Sequence, residues 1–311
     1  MIVTVTLNPA LDLTYAVDAL VPHDSHRVSD VVERPGGKGL NVARVLHALG
    51  EPVLATGLLG GTTGDRVARL LTADGVRSRF VRIAGESRRT VAVVDRADAT
   101  GFWEPGPRVT PGEWSLFVAE FRELLGPATV VTLSGSLPPG VPIGAYASLI
   151  ALAAAAGVPT VLDTSGPALL AGLRTAPSVA KPNIHELTGV LTRPLPGPQG
   201  LADAVRAVAT GPVVVSRGSA GLVAITGDEM WECAPPAAIE GNPTGAGDAC
   251  VAALARGLRD HTPWPDLLAD AVALSAAAVA APAAGAFDPE IYRHTRPTAA
   301  LVGGTRARTH R

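Results

Sequence analysis

The stretch GNPTGAGDAC, residues 241–250, lies immediately before a long segment with apolar residues at helical spacing. Gly245, Ala246 and Gly247 place little side-chain bulk at the start of this predicted helix, where the first N–H groups lack partners inside the helix. Together with the positive end of the helix macrodipole, these amides form a site for a phosphate or a developing oxyanion. Asp248 follows directly, and we interpret it as a catalytic base. A carboxylate that only favours the helix dipole is the structural alternative.

A second glycine-rich turn occurs near the N-terminus, in RPGGKGLNVAR, residues 34–44. Its glycines allow the backbone to approach a ligand closely, and the chain then continues as a helix predicted to end at Gly50. Within the turn, Gly37 provides the close approach, Lys38 a positive charge and Asn41 an amide. An ordinary turn that leads into a helix is the alternative interpretation.

Strand and helix patterns alternate through most of the chain. Apolar strand-like runs that are nearly continuous, such as IVTVTLN at the N-terminus, are typical of a mostly parallel sheet with helices on both faces. The β-like runs at about 13–34 and 88–104 do not fit the alternation, and they predict a small separate sheet over one edge of the large one. Residues 192–200, rich in proline and glycine, predict a surface loop, and residues 303–311 a frayed end.

Ligands of open parallel sheets bind outside the carboxyl ends of the strands. Polar residues and turns that follow predicted strands are therefore candidates for a site. Besides the two glycine-rich segments, they are Asn8, Asp12, residues 134–140, Asp163, residues 181–186 and residues 216–218.

The composition excludes several classes of function. A net charge of −2 gives no basic field for nucleic acid or an anionic membrane. Cys233 and Cys250 are too few for a disulfide framework, which favours a reducing compartment. The first residues lack the pattern of a signal peptide, and the alanine-rich run near 267–286 is interrupted by Asp270 and Pro282. We therefore expect a cytoplasmic protein.

Six segments together resemble the PfkB (ribokinase-like) carbohydrate kinases. The two glycine-rich segments are similar to the two signatures of that family. Four further segments resemble the branch with 1-phosphofructokinase, tagatose-6-phosphate kinase and the minor 6-phosphofructokinase: TLNPALD, SGSLPPG, KPNIHEL and VSRGSAGL. The resemblance implies one kinase domain over residues 1–311, with the three-layer α/β fold of ribokinase and a small β-sheet lid inserted at about 13–34 and 88–104.

The resemblance also implies roles for individual residues. In the family's arrangement, Asp248 deprotonates the sugar hydroxyl, and the amides of Gly245, Ala246 and Gly247 stabilise charge on the transferred phosphoryl group. Glu186 and Asn183 match the element that organises Mg²⁺ through water. The implied nucleotide-binding residues are Lys181, Asn183, Ser216, Gly218, Gly221 and Thr244. The implied residues for the acceptor sugar are Asp12, Gly37, Lys38, Asn41 and Ser136.

A sugar that already carries a phosphate requires a cationic pocket. Arg27 and Arg88 fall near the basic residues that bind phosphosugars in the family, whereas Arg89 is expected to face solvent. Three positions of the lid depart from the family pattern: Thr90, Gly101 and Trp103. These departures leave the identity of the acceptor open. Trp103 is either a stacking platform for a sugar or, as we favour, part of the packing of a lid–lid contact.

The leading hypothesis is an ATP- and Mg²⁺-dependent kinase that converts fructose 1-phosphate to fructose 1,6-bisphosphate. Tagatose 6-phosphate and fructose 6-phosphate are the alternative acceptors, and the arginines make an unphosphorylated sugar or a nucleoside a weaker candidate. A sugar-phosphate sensor without turnover is the alternative from another class. A homodimer formed through the lid is the expected assembly.

Overall fold

The computed structural model describes residues 1–96, 98–191, 197–237 and 239–303, with the backbone alone at residues 197–199. The strands are β1 (Ile2–Thr6), β2 (Ala10–Ala16), β3 (Asp30–Gly36), β4 (Val53–Gly60), β5 (Ser78–Ile83), β6 (Arg88–Val94), β7 (Ala99–Trp103), β8 (Val130–Ser134), β9 (Thr160–Asp163), β10 (Val179–Ala180), β11 (Val213–Ser216), β12 (Leu222–Thr226), β13 (Glu229–Cys233) and β14 (Ala300–Gly303). The helices are α1 (Lys38–Ala48), α2 (Gly61–Ala73), α3 (Pro111–Leu125), α4 (Ala145–Ala155), α5 (Gly166–Leu173), α6 (Ile184–Val190), α7 (Gly197–Val208), α8 (Ala246–Arg259), α9 (Trp264–Val279) and α10 (Pro289–His294).

The large sheet of the described chain has ten strands in the order β14-β13-β12-β11-β10-β9-β8-β1-β4-β5. From β11 to β5 every neighbouring pair is parallel, and β12, β13 and β14 add an antiparallel edge. The central strands β1 and β8 are buried along their whole length, because helices cover both faces of the sheet. This arrangement confirms the predicted mostly parallel α/β fold.

Two apolar clusters fill the space between the sheet and its two helical layers. Side chains of α1, α2, α8 and α9 pack on one face, and those of α3 to α7 pack on the other. Successive side chains of a strand point to opposite faces of the sheet. In β1, Ile2 therefore joins the first cluster, and Val3 and Val5 join the second. Helix α8 packs mainly against α9 and α1, which brings the 241–250 segment next to the 34–44 segment.

The second sheet is small and has the strand order β3-β2-β6-β7. Its strands begin and end close to the ranges 13–34 and 88–104, and we refer to this sheet as the lid. One lid face packs on α2, where Leu13 contacts the core. On the other face Asp12, Thr90 and Trp103 stand side by side in register.

Some local expectations were wrong. Residues 197–200 belong to helix α7 rather than to a loop, while residues 192–196 lie outside the described part. Of the predicted frayed end, Gly303 closes strand β14 and the remainder lies outside the described residues. No helix in the described ranges is long and apolar enough to cross a membrane, and the alanine-rich run forms the buried helix α9.

Candidate active site

The 241–250 segment forms a tight approach to helix α8. Gly245 precedes the helix in the left-handed conformation, with φ 92°, which glycine adopts at little cost. A Cβ at this position would lie 2.8 Å from the Cα of Ala284, so the loop after α9 also requires glycine here. No side chain caps the first amides of α8, and of these the Ala246 amide donates to the Pro243 carbonyl at 3.2 Å. We call the segment from Gly245 to Asp248 the cradle.

Asp248 lies in the first turn of α8 and is only 7% exposed. The Asn41 Nδ2 group of helix α1 donates a hydrogen bond of 2.8 Å to its Oδ2. Burial raises the pKa of Asp248 to about 7, with the charge of Asp163 acting in the same direction and the Asn41 bond, Lys38 and Lys181 opposing it. A carboxylate with this pKa exchanges a proton near neutral pH, which suits a general base.

Two lysines meet one buried carboxylate beside the cradle. Asp163, at the end of β9, is 1% exposed, and its Oδ1 lies 3.1 Å from Lys38 Nζ and 3.4 Å from Lys181 Nζ. A Cβ on Gly247 would lie 3.4 Å from Lys181 Nζ, so this ammonium group stands over the cradle. Although burial opposes the charged form, Asp163, Glu186 and Asp248 together hold the pKa of Lys38 above its ordinary value.

At the start of helix α6, the side chains of Asn183 and Glu186 each accept a hydrogen bond from the other residue's main-chain amide. The Glu186 amide donates to Asn183 Oδ1 at 2.8 Å, and the Asn183 amide donates to Glu186 Oε2 at 2.9 Å, which is a capping box. The other oxygen of Glu186, Oε1, lies 3.2 Å from Lys38 Nζ. One carboxylate oxygen thus fixes the helix end and the other faces Lys38.

A cleft of about 860 Å³ opens in front of the cradle. It contains all four cradle residues as well as Lys38 and Asn41. Its wall includes the apolar side chains of Leu222, Val272 and Val279. All the residues expected to bind a nucleotide line it: Lys181, Asn183, Ser216, Gly218, Gly221 and Thr244.

Asp12 lies at the base of the lid, outside the lining of this cleft. Its carboxylate covers Gly36, where a Cβ would come within 2.1 Å of the acid, and Thr90 of β6 is its neighbour in register. Burial raises the pKa of Asp12 to about 6, and Thr90 and the charges of Arg88 and Arg44 oppose the shift. Thr90, one of the departures from the family pattern, therefore stands beside this carboxylate.

The expected acceptor residues are not all close together. Gly37, with φ 108°, forms the start of α1, and Ser136 accepts a hydrogen bond of 3.2 Å from Asn8 Nδ2 at the carboxyl end of β1. Arg88 Nε donates to the carbonyl oxygen of the same Asn8 at 3.0 Å. Arg27 is exposed in the connection between β2 and β3, and no contact within the described chain brings it to the cleft.

Gly101 and Trp103 form one local feature of the lid. A Cβ on Gly101 would lie 2.8 Å from Cζ2 of the indole, so the ring leans over the glycine and depends on it. Trp103 is 73% exposed, and packing within this chain does not bury it. The two departures at these positions are therefore coupled, and the ring lies on the same lid face as Asp12 and Thr90. Arg89 is exposed, as expected, and pairs with Glu104 at 2.9 Å.

Sequence reasoning left two contributors to the site without a role. Asp163 was only one of several polar strand ends, and the strand order β8-β9-β10 makes it the common partner of both lysines. Arg44 pairs with Asp74 at 2.9 Å and donates to the Ala284 carbonyl at 3.0 Å, which connects α1 to the loop behind the cradle. Its place in the RPGGKGLNVAR segment was the available signal.

Comparison with known proteins finds solved structures with the same overall fold. Phosphofructokinase-2 from Escherichia coli in complex with potassium is 29% identical, with a TM-score of 0.88 over 94% of this chain and 96% of that one. Its complex with fructose-6-phosphate is 28% identical, with a TM-score of 0.86 over 94% and 96%. A Thermotoga maritima protein described as a possible 1-phosphofructokinase is 28% identical, with a TM-score of 0.86 over 97% and 99%.

These neighbours confirm the ribokinase-like fold and are consistent with the predicted branch. The model of the pfkB family of carbohydrate kinases matches residues 5–291, which include the lid, the cradle and both glycine-rich segments. The chain therefore belongs to the pfkB family of carbohydrate kinases and is a sugar kinase.

Proposed function

We propose that this sugar kinase transfers the γ-phosphoryl group of ATP to a ketohexose monophosphate, and that fructose 1-phosphate, converted to fructose 1,6-bisphosphate, is its acceptor. The observation that carries the proposal is the buried Asp248, with a pKa of about 7, in the first turn of an uncapped helix that opens into a large cleft. An exposed carboxylate that only caps a helix has neither the burial nor the shifted pKa.

Asp248 acts as the general base in this proposal. Asn41 holds its Oδ2 through a 2.8 Å bond, which leaves Oδ1 to take the proton of the acceptor hydroxyl. The amides of Gly245, Ala246 and Gly247 stabilise the charge on the phosphoryl oxygens as the new bond forms. Donors fixed in advance in this manner contribute about 3 kcal/mol each to the stabilisation of a transition state.

The lysines complete the positive side of the site. Lys181 stands over the cradle and Lys38 is held between Asp163 and Glu186, so both ammonium groups are positioned before a ligand arrives. This arrangement positions the terminal phosphates of ATP and screens the negative charge that develops during transfer. The apolar wall of the cleft fits the adenine ring.

The donor atoms present fit a magnesium ion. Asp163 Oδ2 is buried and accepts no hydrogen bond from any described residue, and Glu186 Oε1 faces the same lysine. Mg²⁺ prefers such carboxylate oxygens and keeps several waters, so a set of three protein ligands, absent among the described residues, is not required. We propose that Asp163 and Glu186 hold the ion, with Asn183 acting through water. When bound, the ion neutralises phosphate charge.

The acceptor proposal is supported by the lid and by the names of the neighbours. Arg88 contacts the end of β1 beside Asp12, whose carboxylate is suited to sugar hydroxyls. Neighbours include a protein described as a possible 1-phosphofructokinase and a phosphofructokinase-2 bound to fructose-6-phosphate. Arg27 and Ser136 are assigned to the acceptor in the same proposal, and tagatose 6-phosphate and fructose 6-phosphate are the alternatives.

We further propose that residues 1–311 form one kinase domain in the cytoplasm and that the protein is a homodimer joined by its lids. Three large apolar residues of the lid, Val31, Phe102 and Trp103, are each more than half exposed. Apolar surface of this kind is typical of contacts between subunits. Sedimentation equilibrium of the wild type measures the mass, and a monomer at micromolar concentration would exclude the dimer.

The test of function is ADP release with a panel of acceptors at saturating ATP and Mg²⁺. The panel contains the three ketose phosphates and unphosphorylated fructose, and the Asp248→Asn protein, purified in parallel, controls for contaminating kinases. We expect the highest kcat/KM with fructose 1-phosphate. A higher kcat/KM with another ketose phosphate would make that compound the acceptor. Binding of a ketose phosphate without turnover of any member of the panel would favour the sensor.

A further inference from the structure

Arg44 of helix α1 connects two other parts of the fold. Its Nη1 group donates a hydrogen bond of 3.0 Å to the carbonyl oxygen of Ala284, in the loop after α9, and its Nε lies 2.9 Å from Asp74 Oδ2 at the end of α2. The guanidinium side chain is mostly buried. Neither Arg44 nor Asp74 lines the cleft, so the pair lies outside the proposed ligand contacts.

The loop after α9 packs directly against the cradle. A Cβ on Gly245 would lie 2.8 Å from the Cα of Ala284 and 3.4 Å from the amide nitrogen of Gly285. Gly285 has φ 77°, and a Cβ there would lie 2.7 Å from Arg44 Nη1 and 3.2 Å from Asn41 Oδ1. The main chain at 284–285 is therefore enclosed between the start of α8 and one side of α1, and Arg44 forms part of that enclosure.

Helix α1 contacts both the base and this loop from the same side. Asn41 and Arg44 are three residues apart, a spacing that makes two side chains neighbours on a helix surface. Asn41 donates to the Asp248 carboxylate at 2.8 Å, and Arg44 donates to the Ala284 carbonyl. The position of the base relative to Gly245 thus depends on two hydrogen bonds from α1, one to the base and one to the loop that supports the cradle.

Asp74 determines the direction of the Arg44 guanidinium. Burial lowers the pKa of Arg44, and the charge of Asp74 opposes this shift. A buried guanidinium without its carboxylate is costly, so the ion pair stabilises the geometry in which Nη1 reaches Ala284. Because Nε and Nη1 belong to one rigid planar group, the place of the Asp74 carboxylate fixes where Nη1 points. The Asp74 side chain is 38% exposed, which makes it the accessible end of the pair.

We propose that Arg44 is a positioning residue for phosphoryl transfer, and that its ion pair with Asp74 keeps the cradle amides at a fixed position relative to the carboxylate of Asp248. The inference rests on the proposed roles of Asp248 and the cradle and extends them to a pair outside the cleft. Transfer requires exact distances, and a displacement of about 1 Å costs up to about 10²-fold in rate. An interaction that acts only on the transition state changes kcat and leaves KM nearly constant.

Asp74→Asn tests the proposal at the exposed end of the pair. The side chain keeps its size and loses its charge, so we expect kcat to fall about tenfold, with the KM for ATP and for the best sugar within about twofold of the wild type. Arg44→Lys keeps the charge but loses the planar group that reaches both Asp74 and Ala284, and it should lower kcat similarly. Asp65→Asn is the matched control and should keep the wild-type kcat, since Asp65 also lies on α2 and pairs with Arg82 at 2.6 Å.

The double variant shows whether the two residues act as one unit. If both act through the contact with Ala284, Asp74→Asn combined with Arg44→Lys loses no more kcat than the more severe single variant. Losses that multiply would overturn the proposal. A kcat within about twofold of the wild type in Asp74→Asn, or equal increases in both KM values, would also overturn it. Urea denaturation establishes that each variant is folded.

Hydrogen exchange separates this inference from the proposed function, because it requires no turnover. In the free protein, the peptides that cover residues 241–250 and 281–288 are expected to exchange faster in Asp74→Asn than in the wild type and in Asp65→Asn. If no ketose phosphate is turned over, the acceptor proposal fails, and faster exchange in these peptides still supports the positioning role. Exchange at the wild-type rate in both peptides would refute it, even if kcat were reduced.

Discussion

The cradle and the lid differ in how their charges are compensated before any ligand binds. Beside the buried Asp248 of the cradle, Asp163 and Glu186 pair with Lys38 and Lys181 at 3.1 to 3.4 Å, and most of these groups are buried. In the lid, Arg27 is exposed and has no partner within the described chain, and Trp103 presents its ring to solvent.

The difference separates two tasks of a sugar kinase. Buried charges must be paired by the protein itself, because an isolated buried charge is costly, and this pairing fixes the phosphoryl-transfer site in advance. The groups of the lid that have no partner in this chain are left for an acceptor or a second subunit to satisfy. Phosphoryl transfer is thus associated with the cradle and the choice of acceptor with the lid. Substitutions near the cradle are expected to affect mainly kcat, and those in the lid mainly the KM for the acceptor.

The largest effect is expected in the cradle. Asp248→Asn removes the base and keeps the side-chain shape, so kcat is expected to fall by at least ~10²-fold while ATP affinity stays unchanged. The measurement is kcat with saturating substrates and ATP binding by calorimetry. The control is Asp266→Asn, which changes an exposed aspartate in the first turn of α9. If both variants kept full turnover, Asp248 would be only a partner of the helix dipole.

The next effect concerns the pairing of charges. Asp163→Asn leaves two ammonium groups close together without their common carboxylate, and it is expected to lower the free energy of unfolding by about 2 kcal/mol, given that solvent partly screens Lys38. Urea denaturation provides the measurement. Glu290→Gln, which breaks the exposed pair with Arg293, should cost less than about 1 kcal/mol. Equal losses would show that the cluster near the cradle contributes nothing special to stability.

The pH dependence of kcat/KM reports the state of the base. Asp248 must be deprotonated to accept a proton, and its pKa in the free protein is raised to about 7. kcat/KM is therefore expected to level off above about pH 8 and to fall about tenfold by pH 6. The fall in kcat/KM at low pH should persist in Asp12→Asn, which removes the other carboxylate whose pKa is raised. A profile that stays flat down to pH 5 would contradict the assignment.

The smallest effect is expected in the lid. Gly101→Ala places a methyl group against the indole of Trp103 and forces it from its position, at a strain of about 1 kcal/mol. The KM for the acceptor is expected to change about two- to fivefold, the scale of such strain, and kcat to stay constant. Gly112→Ala, where a Cβ meets nothing within 4 Å, is the matched control. A loss of kcat without a change in KM would remove the distinction between cradle and lid.

The sequence predicted the cradle well because its parts are consecutive. Gly245 to Asp248 appear in one short segment, and the helix begins within it, at Ala246. Asp163 had no such signal, because Lys38 lies 125 positions away and Lys181 directly follows the neighbouring strand β10, and only the strand order brings them together.

The elements that were not predicted also have physical reasons. Strand β5 is at the edge of the sheet and carries exposed arginines, so its apolar pattern is weak. Helix α5 begins with Gly166 and a proline, which in the sequence indicate a turn. Helix α10 and strand β14 are short. The faces of the lid strands follow from their register, and alternation alone does not tell which face turns towards the site.

Because Ala284 lies directly against Gly245, a change in the loop after α9 is expected to shift the cradle and so alter the rate of phosphoryl transfer. Arg44 holds the carbonyl of Ala284 from helix α1, and the backbone of the same residue supports the cradle from behind. A bulkier residue at position 284 would push on the cradle without touching any proposed ligand contact. Turnover can therefore be tuned from a position that a search for substrate-binding residues would pass over.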